Sequence, residues 1–421
     1  LSFTLLLRKR IFWISVISVM WIILGVTNGV LVATRVTPLT ASDFRLIDSA
    51  FSIMDKYFSV WQIILVVIGV IAALAVLVLL FFRAPKVDHK IKYGRNIVAI
   101  VLIWVIGMGA INLGIASGLI NKKFGNLRDS YFKYGFAYCF TNSVLNTGIQ
   151  KPKNYSASSI KKIVDEEESQ ATEATEKTPN IIFLQLESFF DITDLNDVTV
   201  NEDPIPNYHR LFDTCSSGFL SVPSVGAGTA NTEFEILTGM NLDFFGCGEY
   251  PYQTVLREQT CESLPYCYDN IGYTSHAIHN NSATFYNRNM VFSRLGFDTF
   301  TSMEYMYNLT YTPENWAKDK VLTTNIIEAM ESTDTSDFIY TISVQGHGAY
   351  PTEEVLKDPH IKVTLKEDDE ARQNQLTYYA NQIYEMDLFV AELTRQLKDF
   401  NEPCILVMYG DHLPSLGIEE T

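Results

Sequence analysis

The chain has 421 residues, is 47% hydrophobic and carries a formal net charge of −16. This acidic balance argues against nucleic acid as a partner, because phosphate backbones are bound by Lys and Arg. The six cysteines follow no zinc-knuckle spacing, so a zinc-finger type of protein is also excluded.

Three long uncharged apolar runs come first, at residues 11–34, 58–82 and 96–121. About 20 apolar residues cross the hydrocarbon core of a bilayer, so each run predicts a membrane-spanning helix. Buried helices of a large soluble protein are the alternative, but each run exceeds the length of an ordinary core helix. The sequence therefore predicts a multi-pass membrane region.

Basic residues flank these runs unevenly. Arg8, Lys9 and Arg10 precede the first run, and the 83–95 loop is rich in Lys and Arg, whereas the 35–56 loop is weaker in both and contains three aspartates. Short basic loops stay cytoplasmic, so we expect everything after residue 123 to lie outside the cell. The opening LSFTLLL is typical of the end of another helix, which suggests that the natural N-terminus lies upstream.

We predict three regions: a transmembrane region at 1–123, a juxtamembrane segment and linker at 124–178, and an outer domain at 179–421. Within the middle region, residues 131–144 suit an interfacial helix or an ordinary buried one. Residues 151–178 are polar, with an acidic run, and predict an exposed linker.

The outer domain alternates apolar runs rich in β-branched residues with amphipathic segments. The predicted strands are 180–186, 338–344 and 404–408, and residues 370–397 predict one or two helices. Such alternation favours a doubly wound α/β domain, in which sites gather beyond the carboxyl ends of the strands. The polar residues found just past the runs are Glu187, His347, Asp411 and His412.

Four stretches carry the chemistry: LESFF from Leu186, GAGTANTEFEILTGM from Gly226, HNNSATFYNR from His279 and YGDH from Tyr409. Each is weak alone, because a Glu after a strand or a Thr before a helix is often only a cap. His276 and His279 are expected to be buried and hydrogen-bonded rather than metal ligands. Together and in this order, the four stretches are far more specific.

On these motifs the chain resembles the lipoteichoic acid synthase family, phosphoglycerol transferases of the alkaline phosphatase/sulfatase superfamily. The resemblance implies a mixed, mostly parallel sheet in a domain on the outer face of a bacterial membrane. It also implies that the sequence ends before the natural C-terminus. It assigns Glu187, Thr229, Asp411 and His412 to one divalent metal ion, which is Mn²⁺ in the leading interpretation, with Mg²⁺ or Zn²⁺ left open.

The resemblance also implies roles around a substrate. Thr229 is similar to the nucleophile, His347 to a residue that contacts the substrate, and Arg288 to one that grips the phosphate. Asn281 and Tyr286 match positions near bound glycerophosphate that are often Asp and Trp in the family. The implied reaction transfers glycerophosphate from phosphatidylglycerol to a teichoic acid or glycolipid acceptor. The oligomeric state is left open.

Physical reasoning supports these roles. Gly226 and Gly228 leave room for backbone beside a helix beginning near Thr229, and helix N-termini attract phosphate. A Thr hydroxyl is a poor nucleophile at neutral pH, and metal coordination lowers its pKa.

Other functions stay open at this stage. A phosphoethanolamine transferase would share the anchor and the Thr nucleophile. A sulfatase would need a C/S-x-P-x-R motif, and residues 221–225 lack its Arg. A non-catalytic binding module would show no metal dependence.

Overall fold

The computed structural model describes residues 1–47, 50, 54, 58–121, 124, 127–146, 148–149, 154–168 and 178–418. Packing divides the chain into two compact units, Leu1–Asp43 with Ala50–Leu145 and Phe44–Ser49 with Asn146–Thr421. The domain bounds at 123 and 178 remain predictions.

The first unit contains the three predicted apolar helices. They are α1 (Arg10–Arg35), α2 (Val60–Arg83) and α3 (Tyr93–Ala116), with mean hydropathies of 2.2, 3.5 and 2.4. At most 6% of each apolar stretch is buried within the protein, so these side chains face outward, as membrane-spanning helices require. By length and composition, all three can cross a membrane.

Shorter helices occupy the middle of the chain. In the first unit, α4 (Leu127–Tyr134) and α5 (Phe136–Leu145) cover the region predicted as an interfacial or buried helix. In the second unit, α6 (Ala157–Glu168) lies within the predicted linker, and Ser156 Oγ accepts from the backbone N–H of Ser159 at its start. The other parts of that linker, 151–153 and 169–177, lie outside the described residues.

The second unit is built on a parallel five-stranded sheet of order β4-β3-β5-β1-β7. Its strands are β1 (Asn180–Leu186), β3 (Thr274–His279), β4 (Thr299–Ser302), β5 (Asp337–Ile342) and β7 (Cys404–Gly410). A separate antiparallel pair joins β2 (Val198–Val200) to β6 (Val363–Leu365). The predicted α/β class and the three predicted strands are confirmed, with β5 ending two residues earlier and β7 two residues later than expected.

Helices cover both faces of this sheet. They are α7 (Pro206–Thr214), α8 (Thr229–Thr238), α9 (Leu264–Asp269), α10 (Arg288–Arg294), α11 (Val321–Glu331) and α12 (Glu370–Asp399). Side chains alternate along a strand, so Ile182 and Leu184 pack into the cluster that includes α12, whereas Phe183 packs into the cluster around α8 and α10. Residues 370–397 thus form one helix. This double cover explains the continuous apolar strand sequences.

The six cysteines all lie in the described part of the chain, and no disulfide bond joins any two of them there, Cys261 and Cys267 included.

A pH-dependent link joins two loops of the second unit. His209 Nδ1 lies 2.8 Å from Asp203 and its Nε2 lies 2.8 Å from Asp191. Partial burial lowers the pKa of His209, but the hydrogen bonds and charges of both aspartates outweigh burial and raise it above 6.5. Because the folded pKa exceeds the unfolded one, this stabilisation is present below the unfolded pKa and disappears as pH rises through the folded one.

We therefore expect His209→Gln to lower the free energy of unfolding more at about pH 5.5 than at about pH 8.5. Chemical unfolding at both pH values measures the difference. His360→Gln is the matched control, since the half-exposed His360 pairs with a single carboxylate, that of Glu202, among the described residues. An equal loss at both pH values would contradict the prediction.

Candidate active site

Three predicted metal ligands meet at the carboxyl edge of the sheet. Glu187 follows β1, while Asp411 and His412 follow β7, the strand paired with β1. One ligand atom from each lies within 4.8 Å of the others, and all three side chains are buried. Adjacent parallel strands end at the same edge, which is why residues more than 220 positions apart converge.

Hydrogen bonds fix the orientation of the two β7 residues. Asp411 Oδ1 accepts from the backbone N–H groups of Ser188 and His412, both at 2.7 Å. His412 Nδ1 lies 3.0 Å from the carbonyl oxygen of Leu413, which as a hydrogen bond makes Nδ1 the protonated nitrogen. Its Nε2 then faces Asp411 at 3.4 Å and Glu187 at 3.6 Å.

Burial and mutual charge shift two pKa values in this cluster. Burial, together with the charge of Glu187, raises the pKa of Asp411 to about 7. Burial lowers the pKa of His412, but the charges of Asp411 and Glu187 outweigh it and raise that pKa. A bound cation would favour the deprotonated forms of Asp411 and His412.

The residues fit a divalent metal ion. Within the described ranges, Asp411 Oδ2 is buried with no hydrogen-bond partner. Carboxylate oxygens, an imidazole nitrogen and a hydroxyl form a mixed hard donor set, which Mn²⁺, Mg²⁺ and Zn²⁺ all accept. The site can therefore hold a divalent metal ion.

Thr229 completes the cluster from the start of α8. Its Oγ1 lies 3.1 Å from Glu187 Oε2 and 3.5 Å from His412 Nε2. The preceding Gly228 has φ 104°, and a Cβ there would lie 2.6 Å from Ser224 Oγ, so glycine is required on both counts. The hydroxyl therefore reaches the ligands while standing at a helix N-terminus that attracts phosphate.

Arg288 lies near this helix but is not exposed. It is 1% accessible, its Nε donates to Glu233 Oε2 at 3.1 Å, and its Nη2 donates to Glu233 Oε1. Glu233 is four residues after Thr229, on the same face of α8. Among the described residues, Arg288 Nη1 is buried without a hydrogen-bond partner. Glu233 thus holds one edge of the guanidinium. The role of Arg288 toward a phosphate remains a prediction.

Tyr286 packs against Tyr250 and Arg288, whereas the Asn281 side chain hydrogen-bonds within its own loop. The Tyr286 ring stacks on Tyr250 at 5.8 Å, and the Arg288 guanidinium lies 5.1 Å from it. Asn281 Oδ1 accepts from the backbone N–H of Ser282 at 2.8 Å. The roles of both residues toward a substrate remain predictions.

His347 lies on the loop after β5, next to Glu187. A Cβ on the preceding Gly346 would lie 2.2 Å from the carbonyl oxygen of Glu187, so this loop and the metal-ligand strand touch through backbone. The His347 ring packs on Trp316 with centroids 4.3 Å apart, and its Nδ1 lies 2.6 Å from the carbonyl oxygen of Gly348. His347 is therefore held at the edge of the cluster.

Sequence reasoning missed Glu233, whereas its expectation that His276 and His279 are buried and hydrogen-bonded is confirmed. Both histidines of β3 are buried as predicted, and His276 contacts Thr299 and Asp337. His279 differs, because burial and the charge of Arg288 lower its pKa well below 6.5, and its Nε2 has no hydrogen-bond partner in the described part of the chain. The signal for Glu233 was available: a charged residue four positions after Thr229 on a buried helical stripe.

An α/β domain with buried carboxylates, an imidazole and a Thr hydroxyl at the carboxyl edge of its sheet is typical of the alkaline phosphatase superfamily of metal-dependent proteins. Residues 179–420 match the sulfatase family, and the chain belongs to that family. The predicted resemblance to lipoteichoic acid synthases is confirmed. Lipoteichoic acid synthase of Staphylococcus saprophyticus is 24% identical, with 82% of this chain and 54% of the relative covered.

Two further relatives bear on function. A Rhizobium meliloti (strain 1021) protein named for cyclic beta-1,2-glucan modification is 32% identical over 368 residues, covering 85% of this chain and 56% of the relative. The chain thus spans about half the length of these curated relatives. The solved structure of Streptococcus pyogenes phosphoglycerol transferase GacH with sn-glycerol-1-phosphate is 27% identical, with a TM-score of 0.57, 64% of this chain and 72% of that chain covered.

The backbone contact at Gly346 predicts a substitution effect. Gly346→Ala should lower the free energy of unfolding by about 1–3 kcal/mol, because the carbonyl of Glu187 must move to admit the methyl group. Gly218→Ala is the control, since nothing lies within 4 Å of a Cβ at that position. Denaturant unfolding measures both variants, and equal values for the two would contradict the contact.

The buried ion pair predicts a second effect. Glu233→Gln should cost about 3–5 kcal/mol of stability, because it leaves the buried Arg288 charge uncompensated, and adding Arg288→Met should recover part of that loss. Glu392→Gln, which breaks an exposed pair with Arg395, should leave stability close to that of wild type. Additive losses in the double variant would show that the two buried side chains are not coupled.

Proposed function

We propose that this protein transfers glycerophosphate from phosphatidylglycerol to a hydroxyl acceptor at the outer face of a bacterial membrane, with Thr229 as covalent nucleophile. The observation that carries the proposal is the Thr229 hydroxyl, 3.1 Å from Glu187 and 3.5 Å from His412 at a helix N-terminus. The kinship with lipoteichoic acid synthases and with GacH supports the donor, and the three apolar helices support the location.

The reaction has two steps. The Thr229 hydroxyl gives its proton to solvent, and its oxygen bonds to the donor phosphorus while the bond to the diacylglycerol oxygen breaks; diacylglycerol leaves with a proton that His347 supplies. An acceptor hydroxyl then gives its proton to His347 and attacks the same phosphorus, the bond from phosphorus to the Thr229 oxygen breaks, and Thr229 takes a proton back from solvent. The acceptor is a teichoic acid chain, a glycolipid or another glycan, and the glucan-modifying relative supports the last class.

The protein groups have separate tasks in this scheme. Glu187, Asp411 and His412, together with Thr229, would hold a divalent metal ion, which we propose to be Mn²⁺, and that ion would lower the pKa of the Thr229 hydroxyl. Arg288 uses its Nη1 to hold a phosphate oxygen. Asn281 and Tyr286 shape the space for the glycerol, and the neutral Asn281 amide can donate to a hydroxyl.

Release of diacylglycerol from labelled phosphatidylglycerol tests the nucleophile. In the membrane-embedded protein, Thr229→Ala should abolish release, because alanine lacks the attacking oxygen. Thr238→Ala, at the far end of α8, should retain wild-type release, because its hydroxyl donates to the carbonyl of Phe234 and accepts from the backbone N–H of Met240. Retained turnover in Thr229→Ala would overturn the proposal, and faster turnover of phosphatidylethanolamine than of phosphatidylglycerol would overturn the donor.

Metal binding is tested separately. Asp411→Asn should weaken Mn²⁺ binding at least about a hundredfold in calorimetric titration, because it removes one of the anionic ligands. Asp203→Asn, in a loop outside the cluster, is the control. Unchanged binding in Asp411→Asn would remove this residue from the metal site.

A further inference from the structure

A cavity of about 650 Å³ lies in the second unit, apart from the cluster of Glu187, Asp411 and His412. Residues 311–318, residues 356–360 and one face of α12 form its walls. Small-molecule sites in proteins commonly span about 300–1,000 Å³, so this cavity is large enough for a short oligosaccharide.

Two walls of the cavity contact the loop that carries His347. Gln345, two residues before His347, is 1% exposed and donates from Nε2 to Gln382 at 3.1 Å and Glu385 at 2.5 Å on α12. On the other side, Trp316 packs on His347, and Lys318 lies two residues further along, within about 7 Å of extended chain. The cavity therefore lies beside the edge of the candidate active site that His347 occupies.

The lining combines ring faces with hydrogen-bonding groups. Tyr384 lines the cavity with His360 stacked against it at 4.3 Å and 29°, and Tyr311 is 46% exposed. Lys318 and Glu385 form an ion pair at 2.7 Å with side chains 25% and 39% exposed, so both retain accessible polar surface. Flat rings beside such donors and acceptors suit a sugar, which presents an apolar C–H face and a rim of hydroxyls.

The charges of the lining argue against an anionic polymer. Lys318 is opposed by Glu385 and Asp358, and His360 lies 3.2 Å from Glu202 outside the lining. Carboxylates therefore outnumber the cations around this cavity. A poly(glycerol phosphate) chain would meet like charge here, whereas a neutral glycan pays no such penalty.

From these observations we propose that the cavity binds a neutral oligosaccharide segment of the acceptor, with Tyr384 and Tyr311 as stacking residues and Lys318 and Glu385 as hydrogen-bonding partners. This rests on the proposed function, which it deepens by assigning a neutral glycan as the acceptor class. His347 then lies between the transferred phosphoryl group and the acceptor hydroxyl.

The test uses the full-length protein in lipid nanodiscs and a linear beta-1,2-linked gluco-oligosaccharide as probe. Wild type should bind the probe in calorimetric titration. Tyr384→Ala should weaken binding about tenfold through loss of the ring face, and Tyr311→Ala, at an exposed position that tolerates truncation, should weaken it as well. Tyr307→Ala is the control, because Tyr307 is 86% exposed and is not part of the lining.

Diacylglycerol release without acceptor separates this inference from the function. The Tyr307→Ala control should keep wild-type release, while both cavity variants should show a raised KM for transfer to the probe with kcat unchanged. Absence of probe binding by a wild type that still releases diacylglycerol would overturn the cavity assignment alone, as would unchanged binding in Tyr311→Ala.

Weaker binding of sn-glycerol-1-phosphate in the cavity variants, without weaker probe binding, would assign the cavity to an anion instead. If the wild-type protein releases no diacylglycerol, the proposed function is overturned, whether or not the protein binds the probe.

Discussion

The constraint on which this domain depends is the burial of two carboxylates and an imidazole within 4.8 Å of one another. Removing such groups from water costs several kcal/mol for each ion, and the surrounding backbone offsets part of that cost. Ser188 adopts φ 52°, a left-handed conformation rare outside glycine, and its N–H donates to Asp411 while its hydroxyl donates to Glu187. The local strain thus places two donors on two neighbouring anions.

The same constraint explains why segments that are distant in sequence touch through main chain. Thr232 Oγ1 donates to the carbonyl of Asp411 at 2.7 Å, so helix α8 is fixed to the end of β7. Gly346 lies against the carbonyl of Glu187, so the His347 loop is fixed to the end of β1. With three elements mutually held, the Thr229 hydroxyl needs little reorganisation to stay among the ligands, and such preorganisation is the main source of electrostatic catalysis.

The sequence was most informative where one local rule acts alone. The apolar runs predicted the three helices and the buried strands, because length and periodicity suffice for both, and strand order then brought Glu187 and Asp411 together. It was least informative where burial depends on tertiary packing. The position of Glu233, four residues after Thr229, marks it as a candidate, but nothing local specifies its pairing with Arg288, 55 positions away. The cavity beside α12 arises from three separate segments and leaves no motif.

The Glu233–Arg288 pair also affects how an anionic donor would arrive. Because each charge neutralises the other at hydrogen-bond distance, the pair presents a dipole whose field decays faster with distance than that of a free guanidinium. In the proposed function, Arg288 would therefore contribute little to steering a lipid headgroup from the surrounding solution. Its part would be confined to direct contact through the buried Nη1, so ionic strength should matter little to it. Recognition of a phosphate by Arg288 would therefore depend on the geometry of direct contact and not on long-range electrostatic attraction.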